Sequence, residues 1–230
     1  MMEFAAALAT FLVAHSVPAV PRLRGRLVAR LGRRAYLVAY SALSLALLAW
    51  LIVAARRAGT VALWEPARWQ WAVPLALMPV ALFLIAAGLF AANPLSVSLR
   101  AGAEPGPVTA VTRHPLMWGF LIWALAHIPP NGDLVSVVLF GGMAAFSLAG
   151  FALLDAKARR RLGAERWRAL SRGTSVVPFA AILAGRARLG PVRPLLPAAA
   201  AALAAYAWFL AQGHALLIGP DPLASFRALG

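Results

Sequence analysis

The 230-residue chain has no cysteine, and only 13% of its residues are charged. The first absence excludes disulfides, Cys-ligated zinc, iron–sulfur clusters, c-type haem and thiol nucleophiles. The second excludes an ordinary soluble domain, in which about 25% of residues are charged. Acids are scarcer still, with 7 Asp+Glu against 22 Lys+Arg, and lysine occurs once, at Lys157. For chemistry there remain four His, the seven acids and some hydroxyls.

What the chain does have is apolar length: 62% of its residues are hydrophobic and its mean hydropathy is +0.78. A net charge of +15 could suggest a nucleic-acid binder. Arginine set among long apolar runs more often marks cytoplasmic loops of a membrane protein, so no nucleic-acid partner is expected. A membrane span needs about 20 mostly apolar residues. Six stretches qualify or nearly so: Phe4 to Ala19, Ala35 to Ala55, Ala72 to Ala92, Leu116 to Ile128, Leu134 to Leu154, and Leu195 to Ile218. The first is short but opens Met1-Met2-Glu3, without a basic start or an obvious cleavage site, and reads as a helix rather than a signal peptide. The fourth reaches spanning length by including His114 and Pro115, since Pro is tolerated in a first helical turn. The expected fold is an all-α polytopic membrane bundle of about six transmembrane helices. It forms a single domain over 1–230, with a basic inner-surface segment at 155–193 and a final span near 195–218.

Charge placement tests that count. Alternate loops fall on alternate sides of a membrane, and cytoplasmic loops hold the Arg excess. One set of loops carries 18 of the 22 basic residues, in Arg22–Arg34, at Arg100 and Arg113, and in Lys157–Arg193. Less Glu104, Asp155 and Glu165, that side holds all of the +15. On the other side Arg56, Arg57, Arg68 and Arg227 are balanced by Glu3, Glu65, Asp133 and Asp221. Both termini are therefore expected on the outer side of the membrane. Pro129-Pro130-Asn131-Gly132-Asp133 reads as a turn, with Asp133 able to cap the next helix. Asp155 to Arg172 is too charged to span, but Leu162, Trp167 and Leu170 give it an apolar side. It reads as a basic helix on the inner leaflet, with anionic lipid as partner. Val176 to Ala184 is a short apolar stretch of re-entrant or interfacial character.

Ionisable groups within a bilayer are costly, which makes each one a candidate site residue. A neutral His bonded to a neighbouring helix is also common structural glue. His15 lies 12 residues from Glu3, ~18 Å into the membrane from outside, and His127 lies 13 residues from His114, ~19 Å from the inner end of its helix. Both depths approach the middle of a ~30 Å core. The same rise puts His214 ~28 Å along the last helix, near the outer surface, and leaves His114 at the inner surface, about 140° around its helix from His127. Two neutral imidazoles among Phe, Trp and Leu suit a b-type haem with His15 and His127 as axial ligands. Zinc would need further ligands at that depth.

More specific is Thr112-Arg113-His114-Pro115-Leu116-Met117-Trp118-Gly119, followed by Trp123-Ala124-Leu125-Ala126-His127, Asn131-Gly132-Asp133, Leu139-Phe140-Gly141 and Asp155. With His15, Asn93-Pro94, Gly213-His214 and Gly219, this pattern resembles the NnrU family of bacterial membrane proteins over almost the whole chain. It is similar, more distantly, to the 15-cis-zeta-carotene isomerases, which share the Arg-His-Pro and Leu-Ala-His elements at the same interval. The resemblance implies an integral membrane protein with haem b on His15 and His127. In those isomerases a Cys three residues before the second ligand is implicated in a redox-linked ligand switch. Here that position is Ala124, which argues against such a switch and against isomerase activity. The bacterial family is associated with expression or maturation of nitrite and nitric oxide reductases, which implies a redox-linked or accessory role in denitrification.

Arg113-His114-Pro115 with Gly119, a helical hairpin, and a basic segment ending in Trp167, Leu170 and Val177-Pro178 also resembles isoprenylcysteine carboxyl methyltransferases. That resemblance implies S-adenosylmethionine at the cytoplasmic face, with Arg113, His114 and Asp155 as the inner-face motif. Two departures weaken it: Asp155-Ala156 stands where a carboxylate pair is expected, and Leu116-Met117 where an aromatic follows Pro. Two plainer roles compete. Arg113 could simply anchor a helix end, worth about 1 kcal/mol against anionic lipid, and Asp155 could pair with Lys157 or Arg159. Substrate and protein partner are not legible.

Overall fold

The computed structural model describes residues 1–17, 20–100, 102 and 104–228, and the described residues are helical apart from turns and one isolated antiparallel bridge, Ala62 to Asp133. Pro18 and Ala19, the end of the first expected span, lie outside them. The chain divides into two compact units, Met1–Trp64 with Gly132–Leu139, and Glu65–Asn131 with Phe140–Gly230.

The first unit holds α1 (Met2–Ser16), α2 (Pro21–Leu31) and α3 (Arg33–Arg57). Helix α1 packs along α3, burying Phe4, Ala7 and Leu8 on one side and Leu51 and Ala54 on the other. Trp50 Nε1 donates to Glu3 Oε1 at 3.3 Å, which ties the acidic start of α1 to α3. Gly32, at φ +76° and ψ 156°, ends α2 and opens α3, a conformation adopted almost only by glycine that costs a residue with a Cβ about 1–3 kcal/mol. The Asn-Gly turn is fixed by close approach. The amides of Leu63 and Trp64 donate to the Gly132 carbonyl, and a Cβ on Gly132 would lie 1.9 Å from the Trp64 oxygen. As its sequence implies, Asp133 caps the helix that follows, accepting from Ser136 N at 3.0 Å and Ser136 Oγ at 2.7 Å.

The second unit is built on α4 (Arg68–Phe90), α5 (Val108–Val111), α6 (Pro115–His127), α7 (Leu134–Leu162, grouped here from Phe140), α8 (Ala164–Ser171) and α9 (Ala180–Leu183). It closes with α10 (Leu196–Trp208), α11 (His214–Leu217) and α12 (Pro222–Ala228). Helices α4 and α6 meet at small residues. A Cβ on Gly119 would stand 2.8 Å from the Ala81 oxygen, and one on Gly88 would stand 2.7 Å from the Leu116 nitrogen. Backbones can approach this closely only where side chains are absent, the usual way in which membrane helices gain packing. Helix α10 also lies on α4, where Tyr206 Oη donates to the Leu75 carbonyl at 2.6 Å.

Among the described residues four helices are long and apolar enough to cross a membrane: α3, α4, α7, and the run Arg193–Leu217 that contains α10 and α11. Their surfaces expose Leu45, Leu153, Leu203 and Leu216, as lipid contact requires. This chain is a membrane protein of multiple helices. The other two expected spans form the shorter apolar helices α1 and α6, of 15 and 13 residues, ~22 and ~20 Å long.

One local expectation is altered and two are refined. Asp155 to Arg172 is not one surface helix: nothing breaks the helix at Leu154, so α7 runs on to Leu162, and only Gly163, at φ +79°, turns the chain into α8. The apolar stretch 176–184 contains the single turn α9, next to α5, with Phe179 N donating to the Val111 carbonyl. The last span is interrupted by a π-helical turn at Phe209–Gly213. Gly213 lies against the Trp208 ring, 2.5 Å from where a Cβ would stand, so a side chain there would displace the indole.

Candidate functional site

Pro115 starts α6, and the three residues before it leave the helical conformation: Thr112 is extended and His114 caps α6. This places Thr112, Arg113 and His114 in an interior where each polar group must find a partner. Arg113 and His114 converge on one carboxylate. Arg113 Nη1 lies 2.6 Å from Asp155 Oδ2, and His114 Nε2 lies 3.1 Å from Asp155 Oδ1. A carboxylate oxygen can only accept, so Nε2 carries the proton. Nδ1 of His114 meets Ser96 Oγ at 2.9 Å. His114 is wholly buried, and its ring packs 6.0 Å from Phe151.

Main-chain carbonyls and one hydroxyl hold these side chains and their neighbours in place. Asn93 Nδ2 donates to the Arg113 carbonyl at 3.0 Å, and Arg113 N donates to the Ser175 carbonyl at 2.7 Å. Arg113 Nε donates to Thr174 Oγ1 at 2.9 Å, while Thr112 Oγ1 and Trp118 Nε1 both donate to the Val176 carbonyl at 2.8 Å. The guanidinium stands 5.3 Å over the Trp167 ring. Asp155 is the cluster's outlet. Its side chain is 24% exposed, and it lines an open cleft of about 540 Å³ together with Ala156, Arg159, Arg160, Ala164 and Trp167. Trp167 Nε1 is buried and lacks a hydrogen-bond partner. The cleft offers one carboxylate edge, two arginines and an indole. The hydroxyls of the cluster are those of Ser96, bonded to His114 Nδ1, of Thr174, bonded to Arg113 Nε, and of Thr112, bonded to the Val176 carbonyl.

The expected inner-face trio thus comes together, and Asp155 pairs with Arg113 and His114 rather than simply with Lys157 or Arg159. Sequence reasoning missed Ser96, Thr174 and the structural use of Trp167. The available signal was the polar Thr174-Ser175 pair directly before the apolar stretch 176–184.

At the other end of α6 the geometry is different. His127 is the last residue of the helix, and its Nδ1 donates to the Trp123 carbonyl at 2.7 Å. The ring is bordered by Trp123 and Phe140, at centroid distances of 5.5 and 5.1 Å. His214 stands 6.5 Å away with its plane only 8° from that of His127, and its Nδ1 donates to the Pro220 carbonyl at 2.7 Å. His15 belongs to the first unit, where Nδ1 donates to the Phe11 carbonyl at 2.8 Å and the ring stacks on Phe11 and meets Tyr40 edge-on. Among the described residues no group of three or more His, Cys, Asp or Glu could hold a metal ion.

The structure is thus that of a helical membrane protein with an Arg-His-Asp cluster, open to a cleft at Asp155, at one end of a short helix and an aromatic-lined imidazole at the other. The family described as NnrU protein matches residues 3–222, and the chain belongs to it. Similar curated proteins are the chloroplastic 15-cis-zeta-carotene isomerases of Zea mays, 40% identical over 82 residues, and of Arabidopsis thaliana, 38% identical over 79 residues. Those matches cover 36% and 34% of this chain and 22% and 21% of the relatives, so the chain spans about a fifth of their length. No solved structure matches.

Proposed function

We propose that this NnrU-type protein binds haem b in a bacterial inner membrane and serves a redox-linked or accessory role in nitrite and nitric oxide reductase systems. In this reading six helices cross the bilayer, with both termini periplasmic and the Arg-rich loops against anionic lipid. The supporting observation is His127. A carbonyl on its own helix holds the Nδ1 proton, which fixes the tautomer with a lone pair on Nε2, the form that ligates iron. The surrounding Trp123 and Phe140 supply the apolar wall that a porphyrin requires. Sequence depth and family resemblance name His15 as the second axial ligand. Haem held between two imidazoles supplies a one-electron couple. The role of this chain is to fix the ligand tautomer and exclude water from the aromatic side.

The deciding experiment is the absorption spectrum of protein purified in mild detergent from haem-replete cells. A Soret band that sharpens on reduction and is lost in His127→Ala supports the reading; colourless protein sinks it. A reporter active only outside the cytoplasm, fused at the C-terminal end, tests the topology, and a silent fusion would overturn the six-span arrangement.

A second reading is favoured by the cleft beside Asp155, whose carboxylate, arginines and indole suit a charged nucleoside such as S-adenosylmethionine. Arg113 and His114 would then orient Asp155 for a membrane methyltransferase. Calorimetric titration with S-adenosylmethionine decides it: heat that disappears in Arg113→Ala supports it, and no heat rejects it. An isomerase-like activity is the further alternative carried by the names of the plant relatives.

A further inference from the structure

We infer that Ser96, His114 and Asp155 form an acyl-transfer site, with Ser96 Oγ as nucleophile and His114 Nδ1 as its base, for carboxylic esters that carry an apolar acyl chain. The site lies at the other end of α6 from His127 and is independent of the haem reading.

The three side chains make a directed hydrogen-bond chain. Asp155 Oδ1 can only accept, so the His114 proton is on Nε2, 3.1 Å away, and Nδ1 is left with a lone pair. Ser96 Oγ lies 2.9 Å from that nitrogen and therefore donates its proton to it. A hydroxyl on an imidazole that a carboxylate orients is the arrangement that activates serine for acyl transfer. The two ring nitrogens are exchanged relative to the usual hydrolase order, which leaves the proton path intact, because an imidazole can take a proton on either nitrogen. Arg113 holds the other carboxylate oxygen, Oδ2, at 2.6 Å, so that Oδ1 faces the imidazole.

Neighbouring hydroxyls are used differently. Thr112, Thr174, Ser98 and Ser175 give their protons to main-chain carbonyls, which are not bases, whereas Ser96 gives its proton to one. The turn that carries Ser96 is also pinned. Leu95 N donates to Asn93 Oδ1 at 3.0 Å, Asn93 Nδ2 reaches the Arg113 carbonyl, Leu99 N donates to the Leu89 carbonyl at 2.9 Å, and Arg161 Nη2 donates to the Pro94 carbonyl. A nucleophile held by its surroundings loses less orientational freedom when it attacks. Arg161 also brings positive charge to the turn on which an oxyanion would develop. Ser96 is half-buried, not sealed like His114, and Val97 and Leu99 beside it are exposed on the turn that follows α4, a helix long and apolar enough to span. Apolar side chains at that place suit an acyl chain lying in the bilayer.

In the reaction Ser96 Oγ bonds to the ester carbonyl carbon as its proton passes to His114 Nδ1. The tetrahedral intermediate collapses, the bond from carbon to the alcohol oxygen breaks, and the leaving alkoxide takes the proton from Nδ1. Water then repeats the sequence on the acyl-serine, which releases the carboxylic acid and restores both residues.

The test uses the full-length protein in mild detergent. A fluorophosphonate probe should label the wild type at Ser96, located by peptide mass spectrometry, and leave Ser96→Ala unlabelled. Hydrolysis of p-nitrophenyl octanoate should outpace that of the acetate ester and fall about a hundredfold or more in Ser96→Ala. Because the chain has no cysteine of its own, Ser96→Cys gives a single thiol, whose alkylation by iodoacetamide reads the base without any substrate. Beside His114 that thiol should stay reactive in acid, as a thiolate paired with an imidazolium does, whereas an ordinary thiol slows about tenfold per pH unit below about 8.5. An unlabelled wild type, labelling or hydrolysis that survives in Ser96→Ala, or an ordinary thiol profile in Ser96→Cys would each overturn the site, and none of these outcomes touches the haem reading.

Discussion

The two ends of α6 carry a histidine each, and they are opposites. At the first end His114 is wholly buried with both ring nitrogens engaged, by Ser96 and by Asp155, within a network that also ties down Arg113, Thr112 and Asn93. At the far end His127 gives one nitrogen to its own helix and shares an aromatic surround with a second imidazole. The comparison separates two uses of the same residue in a membrane. Removing a His with both nitrogens bonded orphans buried groups, whereas removing one bonded through a single nitrogen to its own helix leaves only a carbonyl behind.

The largest effect to test that contrast is Arg113→Ala. Removing one partner of a mostly buried ion pair leaves the other uncompensated and typically costs about 3–5 kcal/mol. The loss should appear as a marked drop in thermal unfolding temperature in detergent, with Asp155→Ala behaving alike. An unchanged unfolding temperature would mean that solvent from the cleft already screens the pair. Next comes the swap of histidines. His114→Ala should lower stability while any Soret band persists, and His127→Ala should remove the low-spin band with little change in unfolding temperature; the reverse pattern would break the distinction drawn here. Gly119→Ala should follow, because its Cβ would meet the Ala81 carbonyl of α4, and overpacking of this kind costs about 1–3 kcal/mol. Gly213→Ala sharpens the far end. By displacing Trp208 it should disturb the π turn and, if haem is bound as proposed, shift its spectrum more than the unfolding temperature. The smallest effect is Trp167→Phe. Its indole N–H is buried without a partner, and deleting an unsatisfied donor should leave stability unchanged or raise it by about 1 kcal/mol, measured in the same melt.

Much of this was legible in the chain. Long apolar runs between arginines require spanning helices, because a backbone in lipid must satisfy its hydrogen bonds internally. Asp133 and Gly132 announced their turn, and the Arg-His-Pro motif marked the residues that meet Asp155. Three things were not legible. The extent of α7 past Leu154 was hidden because a charged segment can continue an apolar helix when no Gly or Pro stops it. Ser96 and Thr174 carry no pattern of their own; they matter only because chain folding brings them to His114 and Arg113. The ring contact of His127 with His214 was obscured by depth estimates that ran each helix as an unbroken rod, whereas α6 stops at His127 and a π turn intervenes before His214.

By itself, then, the sequence determined that this is a helical membrane protein, which segments are apolar and which short motif carries buried charge. Those properties follow from local hydrophobicity and from the cost of placing arginine in lipid, and they need no knowledge of neighbours. Only the tertiary structure decided which histidine is saturated and which keeps a nitrogen to offer. That depends on distances between residues 41 and 87 positions apart in the chain, set by the packing of α4, α6, α7 and the final helices.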